Sequence, residues 1–385
     1  MIGLSACGEI PRGPAVPRAE ATRATVLGVA NERFHPIVDV KLVQGELLQA
    51  AERRRRFYGV ATAFDMPEYN MLAVSGGGEN GAFGAGLLCG WSEHGDRPVF
   101  DWVTGVSTGA LTAPFAFLGT AYDAKLREVY TNITAKDVLR ERGLIAALND
   151  DALADNAPLF VTLSRYLDQQ MVADLARAYN EGRLLLIGTS DLDSQQGVIW
   201  NIGAIAASGH PRAQDTIARI LLASAAIPGA FPPTMFDVKL DGKPYQEMHV
   251  DGGAFAQAFL YPPSMTQMRR QRAAARQRVL SVDAYVIRNG RLDPNWSTTK
   301  RQTLGILGRT IDTMITVSGM NDVVRMYNTT RTDSIDFNLA YIGTDFNDVS
   351  PAPFDQGYMR KLFEYGYVRA RQGYPWSKKP PFAAG

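Results

Sequence analysis

Ser107 sits in Gly105-Val106-Ser107-Thr108-Gly109, a Gly-x-Ser-x-Gly pentapeptide between the strand-like DWVTG and the helical, apolar ALTAPFAFL. A serine on a sharp strand-to-helix turn presents its hydroxyl clear of its neighbours, and flanking glycines make room for the turn, so the pattern suits a nucleophile for acyl transfer. Such a serine needs a proton acceptor. The chain offers His35, His94, His210 and His249, with none after residue 249. A Ser, acid, His order could be met only by His210 or His249 with an acid such as Asp191 or Asp193, and no motif prompts it. HVDGGAF instead ends a strand-like run on Asp251, with Gly252 and Gly253 clearing the backbone beside it. Aspartate is a poor base at its ordinary pKa of about 4, but burial raises that value and direct contact with the hydroxyl would suffice.

A third motif, SGGGENGAFGAG at 75–86, follows the apolar MLAVS and precedes AFGAGLLCGW, which gives strand, glycine turn and helix. The step from Gly78 to Ser107 is the length of one strand-helix-strand crossover, which makes both strands parallel. Turn and serine then leave the sheet at the same carboxyl edge, where the amides of the turn can hold a developing oxyanion. Gly76, Gly78 and Gly81 also spell Gly-x-Gly-x-x-Gly, so a dinucleotide-binding oxidoreductase is a rival. That fingerprint wants an acid at the end of the second strand, whereas Asp101 stands at its beginning, at the wrong edge.

In this order, Gly76 to Gly81, Gly105 to Gly109 and Asp251 to Gly253 resemble the motifs of the patatin-like phospholipase family, and ASAAIPGAFPP (223–233) is similar to the segment that precedes its Asp-Gly motif. The resemblance implies an α/β fold, a three-layer α/β/α sandwich around a mostly parallel sheet, and a lipid acyl hydrolase of phospholipase A or esterase type that uses no metal or other cofactor for the chemistry. Carried over by residue, Ser107 is the nucleophile, Asp251 the proton acceptor, and the amides of Gly76, Gly77 and Gly78 the oxyanion hole; Gly81, Gly105, Gly109, Gly252 and Gly253 complete the motifs. One departure is Asn80, after Glu79, where the family has Arg or Lys, which puts recognition of anionic head groups in doubt more than ester chemistry. A non-catalytic lipid-binding or scaffolding protein on the same fold is the alternative.

The elements needed to position these groups are visible as strands at 71–75, 100–106, 183–191, 197–203, 249–253 and 282–288, with helical patterns between most of them and a hairpin at 183–203. One domain is expected over 36–385, its motifs in 71–288 and a helical extension in 289–385. Several features take ordinary structural roles: His249 as a packed side chain, Asp191 and Asp193 in turn chemistry, Cys89 in the core, ERRRRF (52–57) as a solvated helix face, and the apolar stretches 304–317 and 358–376 as faces packed on the core. A composition of 46% hydrophobic and 21% charged residues with net charge +1 is that of a globular protein and gives no basic footprint for nucleic acid. No run reaches the roughly 18 to 20 apolar residues of a membrane span. Leu4-Ser5-Ala6-Cys7 resembles a bacterial lipobox ahead of a Pro- and Ala-rich stretch, so residues 1–35 are expected to be a tether, lipidated at Cys7 and held at the cell envelope. Against this, only six residues precede Cys7, and a cytoplasmic location is the alternative.

Overall fold

The computed structural model describes residues 10–142, 151–294 and 296–382; Cys7 lies outside them. The apolar runs form one nine-stranded sheet: β1 (Arg33–Phe34), β2 (Tyr69–Val74), β3 (Trp102–Val106), β4 (Leu184–Asp191), β5 (Gln196–Asn201), β6 (Thr234–Leu240), β7 (Lys243–Asp251), β8 (Val282–Arg288) and β9 (Asp336–Tyr341). The main path runs β1-β5-β4-β3-β2-β8-β9, with the β6–β7 hairpin joining through β7 to the end of β4. From β4 to β9 every neighbour on this path is parallel, while β5, β1 and β7 pair antiparallel.

Both faces of the parallel strands are covered, so the strands are apolar on both sides. In β2 the side chains alternate, Leu72 and Val74 into one core and Met71 and Ala73 into the other, as the two-residue period of a strand requires. The first core is closed by α2 (Gly81–His94), α3 (Thr108–Leu118), α4 (Asp123–Asn132), α5 (Ala157–Tyr166), α6 (Gln169–Asn180), α7 (Ala213–Ser224) and α8 (Gln356–Arg371), the second by Val43 and Ala50 of α1 (Val40–Tyr58) and Val323 and Met326 of the helix at Thr303–Thr332. The result is the expected α/β/α arrangement.

Helices α2 and α8 approach backbone to backbone. A Cβ on Gly86 would stand 2.0 Å from the Phe363 carbonyl oxygen, and one on Gly90 2.1 Å from that of Tyr367. This explains the helix glycines and buries the aromatic stripe at 358–376: Leu362 and Phe363 are in the core, and Tyr358 and Tyr365 are half-buried. Cys89 is buried as expected.

Four expectations are corrected. Stretch 304–317 does not pack on the core: Ile306, Leu307, Met314 and Val317 are about half-exposed or more, and the 30-residue helix that carries them is buried only from Gly319 onward. Its apolar content has a helical period, but these side chains find no cover among the described residues. Segment 289–385 is not wholly helical, because Asp336–Tyr341 joins the sheet beside β8. ERRRRF is not a solvated face throughout, since Arg54 is buried and paired with Asp101 at 2.7 Å. The described part of the expected tether is packed on the hairpin: Thr25 bridges to Lys239, and buried Arg33 pairs with Glu247 at 2.5 Å. No helix among the described residues is long and apolar enough to cross a membrane.

Candidate active site

Strand β3 follows one edge of β4 as far as Val106, opposite Gly188, and β7 runs the other way along the same edge to place Asp251 opposite Thr189. The two strands meet end to end. The residue after Val106 therefore faces the residue that ends β7, which joins positions 107 and 251 across a large sequence separation. Ser107 has φ 55° and ψ −128°, a backbone conformation that costs about 1–3 kcal/mol for a side chain-bearing residue. The turn is held by Ser224, whose Oγ accepts from Ser107 N–H at 3.0 Å and donates to Gly188 O at 2.7 Å. A Cβ on Gly109 would lie 2.1 Å from Val74 O and one on Gly105 2.5 Å from Gly109 O, so both flanking glycines are required by close approach.

Asp251 is 5% exposed. Its N–H donates to Ala226 O at 2.9 Å, and its Oδ1 accepts from Gly253 N–H at 2.7 Å. The Ser107 hydroxyl faces the same carboxylate; burial pushes the carboxyl pKa up to about 6, against the opposing pull of Ser107 and the Gly253 amide. Gly252 is confined by Gly188, whose carbonyl oxygen would be 2.3 Å from a Cβ there.

The glycine turn packs directly on Ser107: a Cβ on Gly76 would be 3.1 Å from Ser107 Cβ. The expectation for Gly76 as an oxyanion donor is corrected, because its N–H already donates to Gln257 O at 3.0 Å. Gly77 and Gly78 remain, with φ 155° and 56°, and their N–H groups meet no acceptor among the described residues. Gly81 packs under Thr108, whose Oγ1 would be 2.2 Å from a Cβ. Behind the turn, Ser75 Oγ donates to Gly76 O at 2.7 Å, Asn289 clamps Ser75 through its N–H and Nδ2 at 2.9 Å each, and Arg288 Nη1 donates to Ser75 Oγ and Gly76 O at 3.2 Å.

An apolar cavity opens beside Ser107 and Gly78, walled by Leu111, Phe115, Leu163, Ile227, Phe231 and Met359 among others. No Lys or Arg lines it among the described residues, and its one carboxylate is Glu79. Partial burial raises the Glu79 pKa, although bonds from Ser350 and the Phe354 and Asp355 amides oppose this. Asn80 is taken up by Tyr358, whose hydroxyl donates to Asn80 Oδ1 at 2.7 Å. The pair Glu79 and Asn80 thus ties the turn to the start of α8 and the loop before it.

The remaining titratable candidates lie elsewhere. His249 is fully buried between Thr189 (2.9 Å) and Glu247 (3.1 Å) and packs on Trp200 and Phe236. His210 accepts from the Arg212 N–H, and Asp191 accepts from the Asp193 and Ser194 amides in the hairpin turn. Asp101 is buried at the amino end of β3 against Arg54, which removes it as a ribose ligand. Ser224, Gln257, Arg288, Asn289 and Asp322, whose Oδ2 accepts the Gln257 and Ala258 amides at 2.7 and 3.3 Å, were not picked out by motif. Only Ser224 had a signal, within the segment 223–233.

A search of curated proteins finds no match to the chain. A family model described as patatin-like phospholipase matches residues 72–261, a span that contains the glycine turn, Ser107 and Asp251. Residues 72–261 are thus a patatin-like phospholipase domain.

Proposed function

We propose that the protein is a serine lipid acyl hydrolase that works through a Ser107–Asp251 dyad. The observation that carries this reading is the strained turn that aims the Ser107 hydroxyl at the buried Asp251 carboxylate at the mouth of an apolar cavity. Asp251 takes the hydroxyl proton as Ser107 Oγ bonds to the ester carbonyl carbon, and the Gly77 and Gly78 amides hold the negative oxygen. Collapse of the intermediate breaks the ester C–O bond, and the departing alkoxide takes the proton from Asp251. A water then repeats the sequence on the acyl-enzyme, releasing the carboxylic acid and restoring the serine.

The cavity suits the acyl chain, because its lining is almost wholly apolar. With Glu79 as its one charged lining residue among the described residues, the cavity favours an uncharged group near the reacting carbonyl and leaves a phosphate head group, where there is one, outside it. Turnover of p-nitrophenyl butyrate, a long-chain p-nitrophenyl ester and phosphatidylcholine tests the proposal. Ser107→Ala and Asp251→Asn should each lower kcat by at least about a thousandfold. Equal turnover by Ser107→Ala and wild type would remove the mechanism, and loss of activity in His249→Ala with retention in Asp251→Asn would replace the dyad by a triad.

A further inference from the structure

Arg288 ends β8 with only 4% of its surface exposed, behind the glycine turn. A buried guanidinium is expensive unless a carboxylate compensates it. Here Nη1 bonds a hydroxyl and a carbonyl oxygen, Ser75 Oγ and Gly76 O, both at 3.2 Å. Nε is buried with no hydrogen-bond partner among the described residues, and Asp322 acts on the group only as a charge in its surroundings. Burial accordingly pushes the Arg288 pKa down to about 10, with Asp322 opposing, so the side chain keeps its charge at neutral pH. The helix at Thr303–Thr332 closes on it at Gly319, where a Cβ would be 2.6 Å from the guanidinium carbon. A methionine would fill this place without the cost of a charge.

The carbonyl that Arg288 binds belongs to the peptide unit whose other end is the N–H of Gly77. Donation to that oxygen by a cation draws electron density out of the amide and makes its N–H a stronger donor. Gly76 cannot share the task, because its own N–H is held by Gln257 O. The same cation also places positive charge behind the turn, where position 80 carries a neutral asparagine engaged by Tyr358.

We propose that Arg288 is a positioning residue for the acyl-transfer step: from behind the turn it orients and polarises the Gly76–Gly77 peptide unit so that the Gly77 N–H meets the oxyanion formed on the substrate carbonyl. The inference rests on the proposed role of Ser107 and the glycine turn. It assigns the stabilising charge to a side chain that touches neither the substrate nor Ser107.

The test compares full-length wild type with Arg288→Met and Arg288→Gln, which removes the charge but keeps a donor for Gly76 O, using p-nitrophenyl butyrate and an alkyl trifluoromethyl ketone. The ketone's serine adduct carries the oxyanion, so its affinity reads the hole directly. In Arg288→Met kcat should fall at least about tenfold with KM within twofold, and ketone affinity should fall in parallel. Arg288→Gln should show the same pattern and decides the matter if thermal unfolding finds the methionine variant misfolded. A folded variant with kcat and ketone affinity within twofold of wild type overturns the proposal, as does a change in KM alone. Ser107→Ala, run alongside, separates the two ideas: ester turnover that persists without Ser107 defeats the dyad, whereas dependence on Ser107 with indifference to Arg288 defeats only this inference.

Discussion

In the proposed dyad, the state of one proton on Asp251 links activity to stability. Its folded pKa of about 6 lies above the unfolded value of about 4, so the folded protein binds that proton more tightly. Stability from this site is full below about pH 4, declines as pH rises toward 6 and stays lowered above it. Under the proposed mechanism activity runs the other way, since only the carboxylate could take the serine proton: kcat/KM should rise with pH through about 6 and then level. Asp251→Asn should therefore lose activity while raising stability at pH 7 by up to about 3 kcal/mol, measurable as an increased urea midpoint. An Asp251→Asn variant less stable than wild type, or a pH profile flat from 4 to 8, would contradict this. Ser107 and Asp251 were legible in the sequence because the backbone each one needs leaves glycines beside it. Arg288 was not, because it reaches its partner across more than 200 residues and leaves no local pattern, and Ser224 was marked only by the segment 223–233 that contains it, with nothing to point to its partner at Ser107.

At the scale of elements, packing separates two helices that look alike in composition. In α2, Gly86 and Gly90 face the backbone of α8 with no space for a methyl group, so Gly86→Ala should destabilise by about 2–3 kcal/mol despite alanine's better helix propensity. The first half of the helix at Thr303–Thr332 is apolar but faces solvent, so Met314→Asp should change stability by no more than about 0.5 kcal/mol. Thermal or urea unfolding of both variants checks the contrast, and a reversed order would mean that the exposed half is covered in solution. Periodicity identified both helices, and strand alternation and crossover length placed the parallel sheet. Periodicity alone cannot tell a stripe that meets a partner from one that does not, and a late strand such as β9 is hidden by the helices around it.

At the scale of the whole molecule, the N-terminal segment, the β6–β7 hairpin and the site form one connected system. Arg33 pairs with Glu247 at 2.5 and 3.0 Å and donates to Ala24 O, and Glu247 in turn bonds His249, two residues before Asp251. Although burial would raise it, Arg33 and His249 hold the Glu247 pKa down at about 2. A depressed carboxyl pKa stabilises fully above the unfolded value, about 4.5, and the contribution fades as pH falls toward 2. Arg33→Met strands a buried carboxylate and should cost about 3–5 kcal/mol at neutral pH, with the loss shrinking in acid. A small loss independent of pH would mean that the segment does not rest on this pair. Nothing in the Pro- and Ala-rich composition of the segment announces this, because the anchoring partner arrives more than 200 residues later.

In the proposed reaction Ser107 carries the acyl group. Mass spectrometry of the protein after reaction with a fluorophosphonate, followed by peptide mapping, tests it most directly. One adduct is expected, on Ser107, absent in Ser107→Ala and strongly slowed in Asp251→Asn. Labelling of another residue, or none in a preparation that hydrolyses esters, would contradict it.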